Sequence, residues 1–383
     1  MIQNVRHILR THQLIILFSI VFFFFGVILL YKMPRLDRQV VFKSLFDEGK
    51  KAEEEQPPQK PVLNGQPVNY AVFCSSTPNG ESYRSYDYAY NLPLTAMAWE
   101  RIGFKSIILI IGSSCEWEND PALALILSYL EARRATVIFI TSPPNYRTGL
   151  SQTARLFVVN MKEFPGKAND YIITSDSDLW PLRKEHYVPR RHMDIVLVHS
   201  QCCGLFKRKN NTYRMYPMSN IGASASTWSQ IINDGHTIAN DSESIQIYLE
   251  EDFGETLAKH PVINPRIGDE AWFLDQFLVS MRLSEWMEKH GNNSVYLVSD
   301  EGFSRVDRIA WDPEKLTPEA FKLKYDAHMP MKGFLPEQWR RIQPLVHLMY
   351  GRDSWQAKWC DQYNLDFLAK VRNYLNFSNP NAD

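Results

Sequence analysis

The stretch Asp170–Leu182, "DYIITSDSDLWPL", decides the predicted fold. Its apolar half, Tyr171–Ser175, predicts a buried strand, because isoleucines follow one another without the polar alternation of a half-solvated strand. Asp176 and Asp178 come directly after that strand. Two acids in this position either form a solvated turn or face a ligand, and the surrounding sequence has to distinguish the two interpretations.

Upstream of this stretch, short apolar runs alternate with helical segments. The predicted strands are Tyr70–Ser76, Lys105–Gly112, Thr136–Thr141 and Tyr171–Ser175, and the predicted helices are Asn91–Gly103, Asp120–Ala135 and Ser151–Phe164. Near-continuous Ile, Val and Phe runs alternating with helices are typical of a parallel sheet covered on both faces. The predicted fold is therefore α/β, Rossmann-like, with a mostly parallel sheet. Ligands of such sheets bind beyond the carboxyl ends of the strands, where Asp176 and Asp178 lie.

The bulk composition narrows the function classes. The chain has 383 residues, 45% of them hydrophobic and 22% charged, with a formal net charge of −1. A nucleic-acid-binding protein would show a basic excess, so this class is disfavoured. Neither a G-x-G-x-x-G after the first strand nor a G-x-x-x-x-G-K-[ST] is present. The prediction of a ligand site therefore depends on the acidic pair.

The N-terminal region contains an uncharged apolar run, Leu14–Tyr31. Its length suits a membrane-spanning helix, which needs about 17–25 residues. No small-x-small cleavage site follows it, so a signal anchor is favoured over a cleaved signal peptide. Positive charges flank the run on both sides, and the short preceding tail favours a type II orientation with the bulk of the chain in the lumen.

The predicted organisation follows from these features. It comprises a cytoplasmic tail over 1–13, a transmembrane signal anchor over 14–31, a charged and Pro-rich stalk over 32–68, a lumenal folded domain over 69–376 and a C-terminal tail over 377–383. Glycosylation sequons agree with a lumenal location and occur at Asn210, Asn240, Asn292 and Asn376. The five cysteines are predicted to pack in the core or to form one or two bridges, with at least one thiol unpaired.

A membrane anchor, a stalk, an α/β sheet and then Asp-Ser-Asp together resemble the Golgi glycosyltransferases of GT-A fold. The resemblance implies that Asp176 and Asp178 hold Mn²⁺ (or Mg²⁺) against the diphosphate of a nucleotide sugar, most naturally a UDP-sugar. Carboxylates are suitable ligands for such a cation, which neutralises the charge that grows on the leaving diphosphate. Ser75, at the end of the first strand, is a candidate contact for the same nucleotide sugar.

Three further segments are similar to motifs of glycogenin-like transferases, in the same order along the chain. Asn220–Gly222 is similar to an N-x-G stretch that lines the donor sugar, with an ordinary turn as the alternative. Asp275–Gln276 resembles a D-Q pair beside the donor sugar. His328 resembles the C-terminal histidine that completes the metal site, although Phe-Leu-Pro after Gly333 replaces the family's Lys-Pro-Trp.

The segment around the D-Q pair is apolar on nearly all sides, so its acids have to be partnered or used. In a regular helix, Asp269 and Gln276 share a face, whereas Glu270 and Asp275 diverge by roughly 140°. Inverting relatives use an acid near such a helix start as general base, which suits Asp269 or Glu270. Retaining relatives rely on groups where Asp275 and Gln276 lie, so the stereochemical course stays open.

The sequence thus predicts a metal-dependent glycosyltransferase, hexosyl- or N-acetylhexosaminyl-, that acts on a hydroxyl of a glycan or glycoprotein acceptor. The predicted location is the Golgi membrane, or the ER, as a single-pass type II protein. Two alternatives remain. One is a lumenal GT-A-fold protein that binds a glycan or a partner without turnover, and the other is a metal-dependent phosphate-ester hydrolase, which would need more acids or histidines near Asp176.

Overall fold

The computed structural model describes residues 66–78, 86–208, 210–234, 238–259, 270–298 and 304–376. These residues belong to one compact unit that begins at residue 65. The predicted cytoplasmic tail, anchor and C-terminal tail lie outside the described residues, as does the stalk up to residue 65. Within the described ranges, no helix is both long and apolar enough to cross a bilayer.

The described residues form strands and helices in alternation. The strands are β1 (Asn69–Ser76), β2 (Lys105–Ile111), β3 (Thr136–Ile140), β4 (Tyr171–Thr174), β5 (Leu179–Pro181), β6 (Ile195–Val198), β7 (Leu205–Arg208), β8 (Asn211–Arg214), β9 (Ile221–Ser224), β10 (Val295–Val298), β11 (Arg305–Val306) and β12 (Asp326–His328). The α-helices are α1 (Asp87–Arg101), α2 (Ser114–Asn119), α3 (Pro121–Ala132), α4 (Arg147–Thr153), α5 (Ala225–Asn233), α6 (Ser242–Lys259), α7 (Leu274–His290), α8 (Pro318–Lys322), α9 (Pro336–Tyr350) and α10 (Trp355–Asn376).

The main sheet has seven strands in the order β10-β6-β9-β4-β1-β2-β3. The pairings β1–β2, β2–β3, β1–β4 and β6–β10 are parallel, whereas β9 is antiparallel to both β4 and β6. The chain runs from β1 outward to β3 and then returns to β4 on the other side of β1. This reversal between β1 and β4 is the topological switch point at which open α/β sheets leave a ligand crevice.

The sheet is covered on both faces, which explains its uninterrupted apolar strands. In β1, Ala71 and Phe73 point into one buried cluster, and Val72 and Cys74 point into the other. Helices α1, α3, α9 and α10 cover the first cluster, while α4, α5, α6 and α7 cover the second. The predicted α/β fold with a mostly parallel, two-sided sheet is confirmed for the described residues.

Two predicted helices differ from those observed. The first begins at Asp87 instead of Asn91, so Pro93 lies inside α1 rather than in its first turn. Nearly every residue of α1 from 89 to 99 is buried, and this packing outweighs the roughly 3 kcal/mol cost of an interior proline. The segment predicted as one helix, Ser151–Phe164, instead contains the end of α4 and a 3-10 helix over Ala154–Asn160. At their junction the Thr153 hydroxyl donates a hydrogen bond to the Gly149 carbonyl.

The side chains of three predicted glycosylation acceptors, Asn210, Asn240 and Asn292, are exposed. The cysteines agree with the prediction of one or two bridges and at least one unpaired thiol. Cys202 and Cys203, which are adjacent in the chain, form a disulfide, whereas Cys74 and Cys360 are buried free thiols and Cys115 is an exposed one. Glycosylation of the three asparagines stays a prediction.

Candidate functional site

Polar side chains collect at the carboxyl edge of the main sheet around the switch point. Ser75 is the penultimate residue of β1, and Asp176 lies two residues after the end of β4. His199 follows β6, and Asn220 immediately precedes β9, which runs in the opposite direction and so begins at the same edge. The sheet topology therefore brings together residues that are up to 145 positions apart in the sequence.

A smaller sheet brings the predicted histidine to the second aspartate. Strand β12 is antiparallel to β5, and this register places His328 opposite Leu179, the neighbour of Asp178. The Met329 amide donates to the Asp178 carbonyl at 2.8 Å. Nε2 of His328 consequently lies 3.6 Å from Oδ2 of Asp178. The structure thus places these two residues side by side, and their role as metal ligands stays a prediction.

The guanidinium of Arg308 lies against both of these side chains. Its Nη1 is 3.2 Å from Oδ2 of Asp178, its Nε is 3.3 Å from Nδ1 of His328, and its Nη2 contacts Nε2 of the same ring. Burial raises the pKa of Asp178, but the His328 imidazole and the Arg308 charge lower it more, so the pKa ends below its ordinary value. Asp178 is therefore ionised, and only 4% of its side chain is exposed.

The first aspartate is held from the interior of the protein. Arg155, from the 3-10 helix after α4, donates from Nη1 to Oδ1 of Asp176 and to the Ser175 carbonyl, both at 2.5 Å. Its Nη2 donates to Oδ2 of Asp275 at 3.1 Å. Asp176 is 35% exposed, whereas Arg155 and Asp275 are buried. Asp176 thus presents its outer side to the crevice, and Asp275 supports it from behind through the arginine.

Burial and charge pairing shift the pKa values of this cluster in opposite directions. Burial raises the pKa of Asp275 to about 6, because the charge of Arg155 offsets the loss of water only in part and Asp176 adds repulsion. The pKa of Arg155 is lowered by burial but raised overall by its two carboxylates. The Cys74 thiol packs beside them, and burial raises its pKa to about 12. Cys74 is therefore a neutral packing residue rather than a nucleophile.

A second buried network lies under His328. Asp326, at the start of β12, is fully buried and accepts hydrogen bonds from Arg305 at 2.6 and 2.9 Å. Asn220 Nδ2 lies 3.1 Å from the same carboxylate, and His199 Nε2 lies 2.9 Å from it. Burial opposes ionisation, but Arg305 and His199 lower the pKa of Asp326 far below its ordinary value. Asp326 thereby ties β12 to the edge of the main sheet.

The predicted N-x-G stretch divides into two environments. Asn220 is at the sheet edge and adopts a left-handed backbone with φ of 70°, and its buried Oδ1 accepts no hydrogen bond within the described part of the chain. Gly222 lies inside the sheet, paired with Ile173 and Val196. A Cβ at Gly222 would lie 1.9 Å from the Tyr171 hydroxyl oxygen. The glycine is accounted for by the passage of the tyrosine ring, and only Asn220 reaches the crevice edge.

The acidic segment is less regular than predicted. Residues Glu270–Phe273 form a 3-10 helix, and α7 begins only at Leu274, so the angles expected for one regular helix do not apply. Glu270 is exposed and lies 3.4 Å from Arg208, which contradicts its predicted burial. Gln276 is half-buried, and its backbone N–H donates to Oδ1 of Asp275. Asp269 lies outside the described residues.

The predicted metal ligands fit a divalent ion at two of three positions. Oδ2 of Asp178 is buried, accepts no hydrogen bond among the described residues, and faces the His328 imidazole. A carboxylate and an imidazole are both ligands that Mn²⁺ accepts. Asp176 is turned to Arg155, and no group of three or more His, Cys, Asp or Glu side chains in the described part of the chain is arranged to hold a metal ion.

Sequence reasoning missed the arginines of this site. Arg308 and Arg305 occur in a stretch without a motif, and nothing local marks them. Arg155 does have a signal, because it interrupts the apolar run "ARLFVV", and a charge in a buried helix has to meet an opposite one. The opposite charges, Asp176 and Asp275, are 21 and 120 positions away, so only the fold identifies them.

Comparison with known proteins adds little to this geometry. No protein-family model matches the chain, and no curated protein matches it. Among solved structures, the chain is similar to a glycosyltransferase involved in the glycosylation of the major capsid of PBCV-1, at 9% sequence identity. The match covers 74% of this chain and 99% of that chain, with a TM-score of 0.29. A similarity of this size does not establish a family.

Proposed function

We propose that the protein is a glycosyltransferase that uses a nucleotide sugar, most naturally a UDP-sugar, as donor. The observation that carries this proposal is the position of Asp176 and Asp178. They lie beyond the carboxyl end of β4, at the β1/β4 switch point where α/β sheets bind nucleotides. His328 and Arg308 meet Asp178 there, so acids and cations surround one crevice edge.

The reaction transfers a glycosyl group without oxidation or reduction. The bond between the anomeric carbon and the diphosphate oxygen breaks, and a bond from that carbon to an acceptor hydroxyl oxygen forms. The hydroxyl proton leaves to a base, and the bonding electrons go to the nucleoside diphosphate. A divalent cation, Mn²⁺ or Mg²⁺, supplies charge neutralisation for that leaving group when bound. In the proposal Asp178 and His328 would hold this cation, and the exposed side of Asp176 faces the crevice.

The cellular setting is part of the same proposal. The apolar run Leu14–Tyr31 supports a type II anchor in the Golgi or ER membrane, with the folded domain in the lumen. The exposed sequons are consistent with that compartment. The acceptor would then be a hydroxyl of a glycan or glycoprotein, and the transferred group a hexosyl or N-acetylhexosaminyl residue.

A second candidate is a protein of this fold that binds a nucleotide sugar or glycan without turnover. Its support is the engagement of both aspartates by arginines, Asp176 by Arg155 and Asp178 by Arg308. Such pairing leaves the acids fewer free lone pairs for a metal than an active metal site offers. The hydrolase alternative lacks the additional acids or histidines that it would need around Asp176 in the described residues.

Release of nucleoside diphosphate from a panel of UDP-, GDP- and CMP-sugars separates these candidates. The purified protein is incubated with each donor and Mn²⁺, beside Asp176→Ala and Asp178→Ala variants. The proposal expects release from one donor class, with a loss of at least about a hundredfold in Asp178→Ala, as for removal of a transition-state charge partner. Tight binding of a donor with no release by the folded wild type would support the binding protein instead.

A further inference from the structure

Arg308 differs from the other arginines of the site in how it is held. Arg155 is buried and donates to the buried Asp275, and Arg305, on strand β11, donates two hydrogen bonds to the buried Asp326. Arg308 begins a three-residue 3-10 helix beside Ile309, which is 94% exposed. Its side chain is 26% exposed and reaches inward to Asp178 and His328, with its Nη1 also 3.2 Å from the Met331 sulfur. Arg308 is therefore a cation reaching in from the surface.

The guanidinium contacts the two atoms that a divalent ion at this site would use as ligands. A Mn²⁺ ion bound to Asp178 and His328 would lie about 2.0–2.3 Å from a ligand atom of each. Those atoms, Oδ2 and Nε2, are 3.6 Å apart, and Arg308 nitrogens contact both of them. Two cations at this separation repel each other strongly in a site largely shielded from water. The ion and the guanidinium consequently exclude one another.

We propose that Arg308 is the resident cation of the gap between Asp178 and His328, and that Arg308 and a divalent ion are alternative occupants of it. Oδ2 of Asp178 is buried and accepts no hydrogen bond from the residues that the structure describes, so the gap needs a cation in either state. When the ion is absent, the guanidinium provides the positive charge at the crevice. Its planar array of donors suits a diphosphate, which arginine binds through paired hydrogen bonds.

This inference rests on the proposed function only for the identity of the anion that Arg308 would bind, the diphosphate of a nucleotide sugar. The competition between the arginine and the metal is a property of the protein alone, and it has a probe of its own. Arg308 is partly exposed on a short surface segment, so replacing it leaves the two buried clusters untouched. Arg340 is an exposed arginine on α9 whose Nε bonds only the Pro336 carbonyl among the described contacts, and it serves as the matched control.

The experiment measures Mn²⁺ affinity without nucleotide, from the electron paramagnetic resonance of free Mn²⁺, on the full chain. The proposal expects Arg308→Gln to bind Mn²⁺ at least about tenfold more tightly than wild type, since it removes a repelling charge. Arg308→Lys and Arg340→Gln should stay within threefold of wild type. Adding Asp178→Asn to Arg308→Gln should abolish the gain, which places the ion in this gap.

Equal Mn²⁺ affinity in wild type and Arg308→Gln would overturn the proposal, as would a gain that survives Asp178→Asn. A second titration uses UDP in the presence of EDTA. If Arg308 binds the diphosphate, Arg308→Gln weakens UDP binding at least about tenfold while Arg340→Gln does not. Failure of wild type to bind UDP both in EDTA and in saturating Mn²⁺ would contradict the proposed function, whereas the Mn²⁺ affinities judge the competition independently.

Discussion

Arg155 and Asp176 form an ion pair in which Nη1 lies 2.5 Å from Oδ1. The same guanidinium reaches Asp275, so one buried cation serves two carboxylates. Asp176 is therefore fixed by the protein interior rather than free to turn toward any ligand. Asp275, predicted as a residue beside the donor sugar, is 5% exposed and acts on the crevice through this arginine.

The first prediction concerns the energetic coupling of Arg155 and Asp275. Arg155→Met should lower the free energy of unfolding by about 3–5 kcal/mol, because it leaves a buried carboxylate unpaired. Adding Asp275→Asn should recover part of that loss, since the amide needs no counter-charge. Urea unfolding of the single and double variants measures the coupling. Strictly additive losses would mean that the two residues do not share this ion pair.

The second prediction concerns Asp326. Asp326→Asn should destabilise the protein by several kcal/mol, because Arg305 and His199 lose the charge that both contact. It should also lower donor turnover, since Asp326 is on the same short strand as His328. Thermal unfolding and kcat/KM are measured together. The matched change Asp312→Asn removes an exposed pair with Lys315 and should leave both quantities unaltered.

The third prediction concerns Gly222. Gly222→Ala should destabilise the protein by about 1–3 kcal/mol or more, because its Cβ would meet the Tyr171 ring at 1.9 Å from the oxygen and 2.5 Å from Cζ. Combining it with Tyr171→Leu should make the alanine better tolerated than it is beside the tyrosine. If the glycine instead serves a bound sugar, Gly222→Ala would preserve stability and raise only the KM for donor, and a denaturation curve distinguishes the two.

The fourth prediction concerns the pH dependence of stability. Burial raises the pKa of Asp87 to about 6, with the Lys332 amide opposing and Asp178 adding to the increase. Between about pH 4 and pH 6 the folded protein holds a proton that the unfolded chain has released, so stability falls as the pH rises through that window. Asp87→Asn keeps an acceptor for the Lys332 amide, which donates at 2.6 Å, but does not titrate.

Wild type should therefore lose up to about 3 kcal/mol more than Asp87→Asn between pH 4 and pH 6. Urea unfolding at four or five pH values measures the difference between the two slopes. Parallel slopes for wild type and variant would show that Asp87 titrates at its ordinary pKa in the folded protein.

The sequence predicts the first half of the sheet well because the signal there is local. Strands β1 to β4 are apolar runs buried on both faces, and Asp176 and Asp178 lie within four residues of the end of β4. Helix boundaries are predicted less accurately. Burial of residues 89–99 extends α1 upstream of Pro93, and no local residue preference reports that packing.

The site itself depends on contacts that no local pattern encodes. His328 meets Asp178 only because β12 pairs with β5. The left-handed backbones of His199 and Asn220, with φ of 58° and 70°, are conformations that sequence patterns assign to glycine. Both residues contact Asp326, so the fold compensates for the strain with buried hydrogen bonds. The resemblance pointed to Asp178, Asn220 and His328. The arginines around them were found only in the structure.

We propose that sugar transfer takes place in the crevice at Asp178. The most direct test is kcat/KM of the Asp178→Asn variant, measured with the best nucleotide-sugar donor. The variant preserves the size of the side chain and removes the charge that faces His328 and Arg308. We expect a decrease of at least about a hundredfold in a variant that is still folded at the assay temperature. A kcat/KM within threefold of wild type would contradict it and place the chemistry elsewhere in the protein.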